Sequence, residues 1–145
     1  MKNLSLPIRF GLVICGLLIA YFLVLAMFSK HTSPIFSLFN SIITGVGLYE
    51  TIKIYKLREG NYFNYINGFK IGLITGTIAT LGFTIFFAFY ATEINPSFYD
   101  KLQETLNMEM STGLLIFGVA MLGMVTTLIA TLTLMQLFKP SNNLS

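Results

Sequence analysis

The chain has 145 residues, of which 54% are hydrophobic and only 10% are charged. A soluble globule of this size needs roughly a quarter of its residues charged to cover its surface, so the composition is wrong for that class. The formal net charge is +3, but the basic residues flank apolar runs, and we expect no nucleic-acid partner. The single cysteine, Cys15, excludes an intrachain disulfide.

Four long runs contain no Asp, Glu, Lys, Arg or His. They hold 20 residues after Arg9, 18 after His31, 22 after Lys70 and 29 after Glu109. About 20 helical residues, rising about 1.5 Å each, cross a hydrocarbon core of roughly 30 Å. We therefore predict an all-α polytopic membrane protein: one domain, 1–145, with four transmembrane helices in a bundle. The spans are expected at about 8–28, 35–52, 69–92 and 111–138.

The first run follows two basic residues and so resembles a signal peptide. It is longer than the usual apolar region of such a peptide, and no small-x-small cleavage site follows it. We interpret it as a retained first helix.

Residues with known preferences for helix ends mark the boundaries. They are Pro7 at the start of the first helix, Gly60 after a second helix that continues through Arg58, Asn61 or Asn64 before the third, and Pro140 after the fourth.

A shorter helix is predicted between the third and fourth spans. Asn95-Pro96 resembles an N-cap followed by proline at the first helical position. Phe98, Leu102 and Leu106 then recur every four residues, with polar and charged residues on the other faces. We predict an amphipathic helix over about 96–108 that lies at the membrane surface; an ordinary polar connection is the alternative.

Basic residues are distributed unequally between the two sides of the predicted bundle. With a cytoplasmic N-terminus, the inner side holds Lys2, Arg9, Lys53, Lys56, Arg58, Lys70 and Lys139, and the outer side holds only Lys30 and Lys101. This bias predicts that both termini are cytoplasmic, with a cytoplasmic loop at 53–68 and an outer loop at 93–110. We expect Lys53, Lys56, Arg58 and Lys70 to orient the protein and to contact lipid headgroups.

No ionisable residue lies in the middle of a predicted span, because Glu50, Lys70 and Glu93 all fall at span ends. Proton-coupled transporters usually carry such a group at mid-membrane depth, so we do not expect that mechanism. The sequence has no Ser-His-Asp order, Cys-x-x-Cys pair or phosphate-binding glycine loop. We predict no catalytic residue, no cofactor and no metal site.

Two other kinds of site have weaker sequence support. Met108 and Met110 form a Met-x-Met pair that could bind Cu(I) through thioethers, although His31 is better interpreted as a polar turn residue than as a ligand. A membrane-embedded enzyme would have to use outer carboxylates such as Glu93 and Glu109, whose spacing indicates no such chemistry.

Small and hydroxyl side chains occupy one face of each of the last two spans. The predicted helix-packing residues are Gly72, Gly76, Thr77, Thr80, Thr84, Gly123, Thr126, Thr127 and Ala130. Such residues let helix backbones approach closely and hydrogen bond across the interface, for about 0.6 kcal/mol per contact. We interpret these faces as the seam of the bundle. The alternatives are a Thr-lined cavity or subunit pore, and dimerisation through Gly72-x-x-x-Gly76.

Several short motifs surround the third span. They are Tyr55-Lys56, Gly60, Tyr65, Phe69-Lys70-x-Gly72 and Pro96-x-Phe98. Over residues 50–105 they resemble a family of small bacterial membrane proteins, domain of unknown function 4199. The resemblance implies a four-helix inner-membrane protein of a Gram-negative bacterium, and it implies no activity.

The function that we predict is non-enzymatic: a membrane scaffold, accessory or assembly subunit that acts through helix and lipid contacts. Its expected partners are membrane lipids and either further copies of the chain or a larger membrane complex. The alternative is a small oligomeric channel or transporter in which the Thr-rich faces of spans three and four line a path.

Overall fold

The computed structural model describes residues 5–30 and 34–139. Five α-helices follow one another in these ranges: α1 (Ser5–Met27), α2 (Pro34–Glu59), α3 (Tyr65–Phe89), α4 (Pro96–Leu106) and α5 (Thr112–Leu137). A 3-10 turn, Gly60–Tyr62, follows α2, and a π-helical turn, Tyr90–Ile94, continues α3. The described residues contain no strand, which confirms the all-α class. The expectations for Lys2, His31 and Pro140 concern positions outside these ranges.

Within the described residues, three helices are long and apolar enough to cross a membrane. They are Ser5–Met27, Tyr65–Ile94, which includes the π-helical turn, and Thr112–Leu137. The helix α2 differs because its last ten residues include Glu50, Lys53, Lys56, Arg58 and Glu59. The fourth span, at 35–52, therefore stays a prediction.

Local interactions at the helix ends explain the boundaries. Gly60 follows α2 with a φ of +53°, a left-handed conformation that glycine adopts without steric penalty. Asn64 caps α3, because its side-chain oxygen accepts a hydrogen bond from Ile66 N at 2.9 Å. Asn95 precedes α4, but its side-chain oxygen accepts from the Ser97 hydroxyl at 2.7 Å instead of from a backbone N–H.

The helix α3 is the centre of the bundle. It packs against α1, α2 and α5, and its contacts with α1 and α5 are the most extensive. The helix α2 in turn contacts α1, α3 and α5. As a result, α3 contributes to the two most extensive interfaces between the long helices.

The polarity of the bundle is inverted relative to a soluble protein. Thr51, Thr75, Thr127 and Thr131 have no exposed surface. Large apolar side chains are instead exposed on all four long helices, among them Leu12, Leu17, Leu38, Ile42, Ile85, Phe117, Leu122 and Ile129. An outer surface of this kind is suited to an apolar solvent.

An aromatic cluster holds α4 against the end of the bundle that is opposite to the N-terminus of α1. Phe98 of α4 is only 1% exposed, and its ring lies 5.8 Å from Phe22 and 5.7 Å from Phe87, both in edge-to-face geometry. Hydrogen bonds secure the same helix, because Tyr99 and Gln103 both donate to the Met110 carbonyl oxygen. The α4 helix is therefore packed through Phe98 and not only laid on the surface.

Candidate functional site

A close approach between two helices lies between α3 and α5. Three glycines each face a threonine of the other helix: Gly72 faces Thr131, Gly76 faces Thr127, and Gly123 faces Thr80. A Cβ atom built on Gly72 would lie 2.6 Å from Thr131 Cγ2, and one on Gly123 would lie 2.5 Å from Thr80 Cγ2. Only glycine permits this separation, so each threonine fills a gap that a missing side chain leaves open.

The contacts repeat every four residues along both helices. One turn before Gly72, Gly68 faces Met135, and a Cβ on Gly68 would lie 2.9 Å from Met135 Cε. Four layers therefore follow one antiparallel register, from Gly68 at one end to Gly123 at the other. We call this set of contacts the glycine–threonine seam.

Two of the three threonine hydroxyl groups of the seam are buried without hydrogen bonds among the described residues. In the described part of the chain, the Oγ1 atoms of Thr127 and Thr131 have no partner, and the same holds for Thr75 and Thr84. An exposed threonine of α5 behaves differently, since Thr133 Oγ1 donates to the Ile129 carbonyl at 2.8 Å. A buried polar group without a partner destabilises by about 1–3 kcal/mol, so packing of the seam must offset this penalty.

The remaining predicted packing residues border the seam. Thr84 is buried, whereas Thr77, Thr126 and Ala130 are only half-buried. The glycines and the threonines of α3 were both expected on the packing face. In the structure the glycines make the closest approach to α5. Gly72 and Gly76 are therefore occupied within one chain and do not present a free surface for dimerisation.

A second close contact, which the sequence analysis missed, joins α3 to α1. A Cβ on Gly11 would lie 2.9 Å from the Thr75 carbonyl oxygen and 2.8 Å from Ile78 Cβ. One turn further on, a Cβ on Gly82 would lie 2.6 Å from Cys15 Sγ. The available signal was the equal spacing of four residues in Gly11-x-x-x-Cys15 and Ile78-x-x-x-Gly82.

Lys56 is integrated into the structure at the end of α5. Its Nζ atom donates to the Phe138 carbonyl oxygen at 3.2 Å and lies 5.5 Å from the centroid of the Phe138 ring. The same atom lies 5.6 Å from the centroid of Phe63. A cation is favourable at a helix C-terminus, so Lys56 stabilises the end of α5 through charge, hydrogen bonding and cation–π contact.

The other predicted orienting residues are more accessible. Lys53 pairs with Glu50 at 3.4 Å, and its Nζ lies 5.6 Å from the Tyr49 ring centroid. Both members of this ion pair remain nearly half exposed. Arg58 and Lys70 are exposed. Three of the four predicted orienting residues, all except Lys56, therefore have charged groups accessible at the protein surface.

The same end of the bundle contains a buried tyrosine. Tyr55 packs with Leu6 and Ile71 in a small core, and its ring lies 6.1 Å from that of Phe63. Burial and, secondarily, the Glu59 carboxylate raise the pKa of the Tyr55 phenol above its usual range. Tyr55 therefore remains neutral near physiological pH and acts as a packing residue.

Residues 5–30 and 34–139 contain no group of three His, Cys, Asp or Glu side chains close enough to hold a metal ion. Met108 is exposed, and the carbonyl of Met110 is engaged by α4.

The fold and the seam define a small all-α bundle with helices apolar enough to span a membrane. The chain belongs to the family described as protein of unknown function, DUF4199, which matches residues 9–136. The family indicated by the sequence motifs is thus confirmed. Neither the curated proteins nor the solved structures include a match to the chain.

Proposed function

We propose that the protein is an integral protein of the bacterial inner membrane, with four spans and both termini in the cytoplasm. The inverted polarity of the bundle supports membrane integration, because lipid solvates exposed Leu and Ile side chains and water does not. The connectivity of the helices gathers Arg9, Lys53, Lys56, Arg58, Lys70 and Lys139 at one end, and this asymmetry supports a cytoplasmic location for that end.

The fourth span in this proposal is the first two-thirds of α2. Residues 35–49 contain no charged side chain, and the charged remainder of the helix extends beyond the apolar region. Thr44, Leu48, Thr51 and Ile52 are buried against the other helices. A helix with this much protein contact tolerates a less apolar composition than one that faces lipid on all sides.

We further propose that the role is non-enzymatic, as a scaffold, accessory or assembly subunit. One observation carries this proposal: the apolar 18-residue window of α5 is only 11% buried, whereas that of the central helix is 44% buried. The α5 helix joins its own bundle through the seam with α3 and a smaller contact with α2. Its remaining apolar surface is suited to a helix of a partner or of a second copy.

The filled seam favours this role over a channel or transporter. Thr127 and Thr131 have no exposed surface, so they offer no Thr-lined path within one protomer. A path would have to form between protomers, beside the half-buried Thr77 and Thr126.

Crosslinking from α5 tests the accessory role. A photoreactive residue at Val125 or Ile129, both exposed, is compared with one at Leu81 or Ile85 on the exposed face of α3. We expect protein adducts from the α5 positions only, and we expect the same partner or second copy to co-purify after detergent extraction. Lipid adducts alone from all four positions would reject the accessory role.

A liposome flux assay tests the alternative. Thr77→Val and Thr126→Val remove the two half-buried hydroxyls without changing side-chain volume. We expect the wild-type protein to produce no solute or ion flux across the liposome membrane, and we expect the variants to produce none either. Flux that these substitutions alter would support the channel or transporter instead.

The proposed orientation is tested by cysteine labelling in spheroplasts of a Cys15→Ala background. We expect an impermeant maleimide to label Lys101→Cys directly and Arg58→Cys only after permeabilisation. Labelling of Arg58→Cys in intact spheroplasts would contradict the orientation.

A further inference from the structure

A groove of about 390 Å³ runs between α1 and α2. Its walls are apolar and are formed mainly by Val13 and Leu17 of α1 and by Ile42 and Val46 of α2. These four side chains are all more than half exposed. The groove volume lies within the range of about 300–1,000 Å³ that is usual for small-molecule sites.

The two helices come together at a glycine. Ile14, which is 1% exposed, packs against Gly47, where a Cβ would lie 2.6 Å from Ile14 Cδ1. This contact lets the helices approach along one side, while the larger residues leave the groove open on the other. The groove is therefore a consequence of helix packing.

The groove has the length of an acyl chain in one leaflet. Its lining on α2 extends from Ile42 to Glu50, which at about 1.5 Å per residue is about 12 Å. One leaflet contributes half of a hydrocarbon core of roughly 30 Å, or about 15 Å. In the membrane placement proposed above, the groove therefore begins at the cytoplasmic interface and ends near the bilayer centre.

The interfacial end of the groove carries paired opposite charges. Glu50 lines this end, and Lys53 lies 3.4 Å from it, with both side chains still accessible. A carboxylate accepts several hydrogen bonds and an ammonium donates three, so this ion pair retains unused capacity. The pair can receive a headgroup that itself carries both signs of charge.

We propose that this groove binds one acyl chain of an inner-leaflet phospholipid whose headgroup contains a phosphate and a primary ammonium, as in phosphatidylethanolamine. Glu50 accepts hydrogen bonds from the lipid ammonium, and Lys53 donates to the lipid phosphate. Phosphatidylglycerol has no cation to place beside Glu50, and the choline headgroup has no N–H donor. The inference rests on the proposed membrane placement.

Lipid retention tests the inference. Purified protein is equilibrated with phosphatidylethanolamine, phosphatidylglycerol and phosphatidylcholine of identical acyl chains, and bound lipid is counted by native mass spectrometry. We expect phosphatidylethanolamine to be retained about tenfold over each of the others, since hydrogen bonds to charged groups typically contribute this much. Glu50→Gln should remove the preference between headgroups while acyl binding remains.

A second variant tests the groove itself. Val46→Trp places an indole in the groove and should abolish lipid retention. Val24→Trp makes the same change at an exposed α1 position outside the groove and should leave retention unchanged. Retention by Val46→Trp at the wild-type level, or no headgroup preference in the wild type, would overturn the lipid site.

An error in the proposed membrane placement would give a different experimental result from an error in the lipid site. Release of the wild-type protein from membranes by alkaline wash would overturn both the placement and the lipid site. Membrane retention without lipid selectivity would overturn the lipid site alone.

Discussion

Thr127 of α5 occupies the space that Gly76 of α3 leaves open by lacking a side chain. A Cβ on Gly76 would lie 2.8 Å from Thr127 Cβ and 2.5 Å from its Oγ1, closer than nonbonded heavy atoms normally approach. The two helix backbones are therefore separated by little more than one threonine side chain. This contact lies in the middle of the seam that attaches α5, the least buried of the three span candidates, to the bundle.

We expect Gly76→Ala to loosen the attachment of α5. The added methyl group meets Thr127 and forces the helices apart, and overpacking of this kind destabilises by about 1–3 kcal/mol. Unfolding in mixed micelles measures the effect. The matched control is Gly118→Ala on α5, where a Cβ would meet nothing within 4 Å and where alanine favours the helix. Equal loss of stability in the two variants would contradict the seam.

We expect Thr127→Val to leave stability unchanged or to increase it by about 1 kcal/mol. The substitution keeps the shape of the side chain and removes a buried hydroxyl that has no hydrogen-bond partner. Thr133→Val is the control, because that hydroxyl is exposed and donates to Ile129. Marked destabilisation by Thr127→Val alone would show that its hydroxyl makes an essential bond.

We expect Lys56→Met to destabilise the protein by about 1–2 kcal/mol, because it removes a charged hydrogen bond and two cation–π contacts at the end of α5. Arg58→Met deletes the same charge from an exposed position nearby and should have little effect on stability. Thermal unfolding in detergent compares them. A similar decrease in the unfolding temperature of both variants would mean that net charge affects stability and that the contacts of Lys56 do not.

We expect Phe98→Ala to release α4 from the bundle. Removing a fully buried phenylalanine typically destabilises by about 3–5 kcal/mol, and Phe98 is the buried anchor of this helix. Hydrogen exchange of the amides in Pro96–Leu106 should accelerate, while exchange in α3 changes little. Phe89→Ala, at an exposed position, is the control. Unchanged protection of α4 would show that Tyr99 and Gln103 suffice to hold it.

Many of the helix boundaries could be predicted from local sequence. Asn64 caps α3 and Gly60 ends α2 because hydrogen bonding and backbone sterics act between neighbouring residues. The α4 helix was expected from Asn95-Pro96 and the spacing of Phe98, Leu102 and Leu106. The burial of α4 through Phe98 was not expected, because the rings that surround Phe98 come from distant parts of the chain.

The packing faces were less accessible to sequence reasoning. Because α3 is central, it carries one small-residue face toward α5 and another toward α1, and both repeat every four residues. A helical projection shows that such positions share a side, but it does not show which neighbour they face. Thr75 and Gly82 were overlooked for this reason, and Thr77 proved less buried than Gly76.

Helix positions and the distribution of charge along the chain follow from local sequence, because hydropathy and end preferences are properties of short segments. Three features became visible only once the helices were packed: threonine meets glycine layer by layer, Lys56 contacts the end of α5, and α1 and α2 leave a groove that ends at Glu50. These features depend on the register and separation of helices far apart in the chain, which side-chain shape sets only after the helices pack.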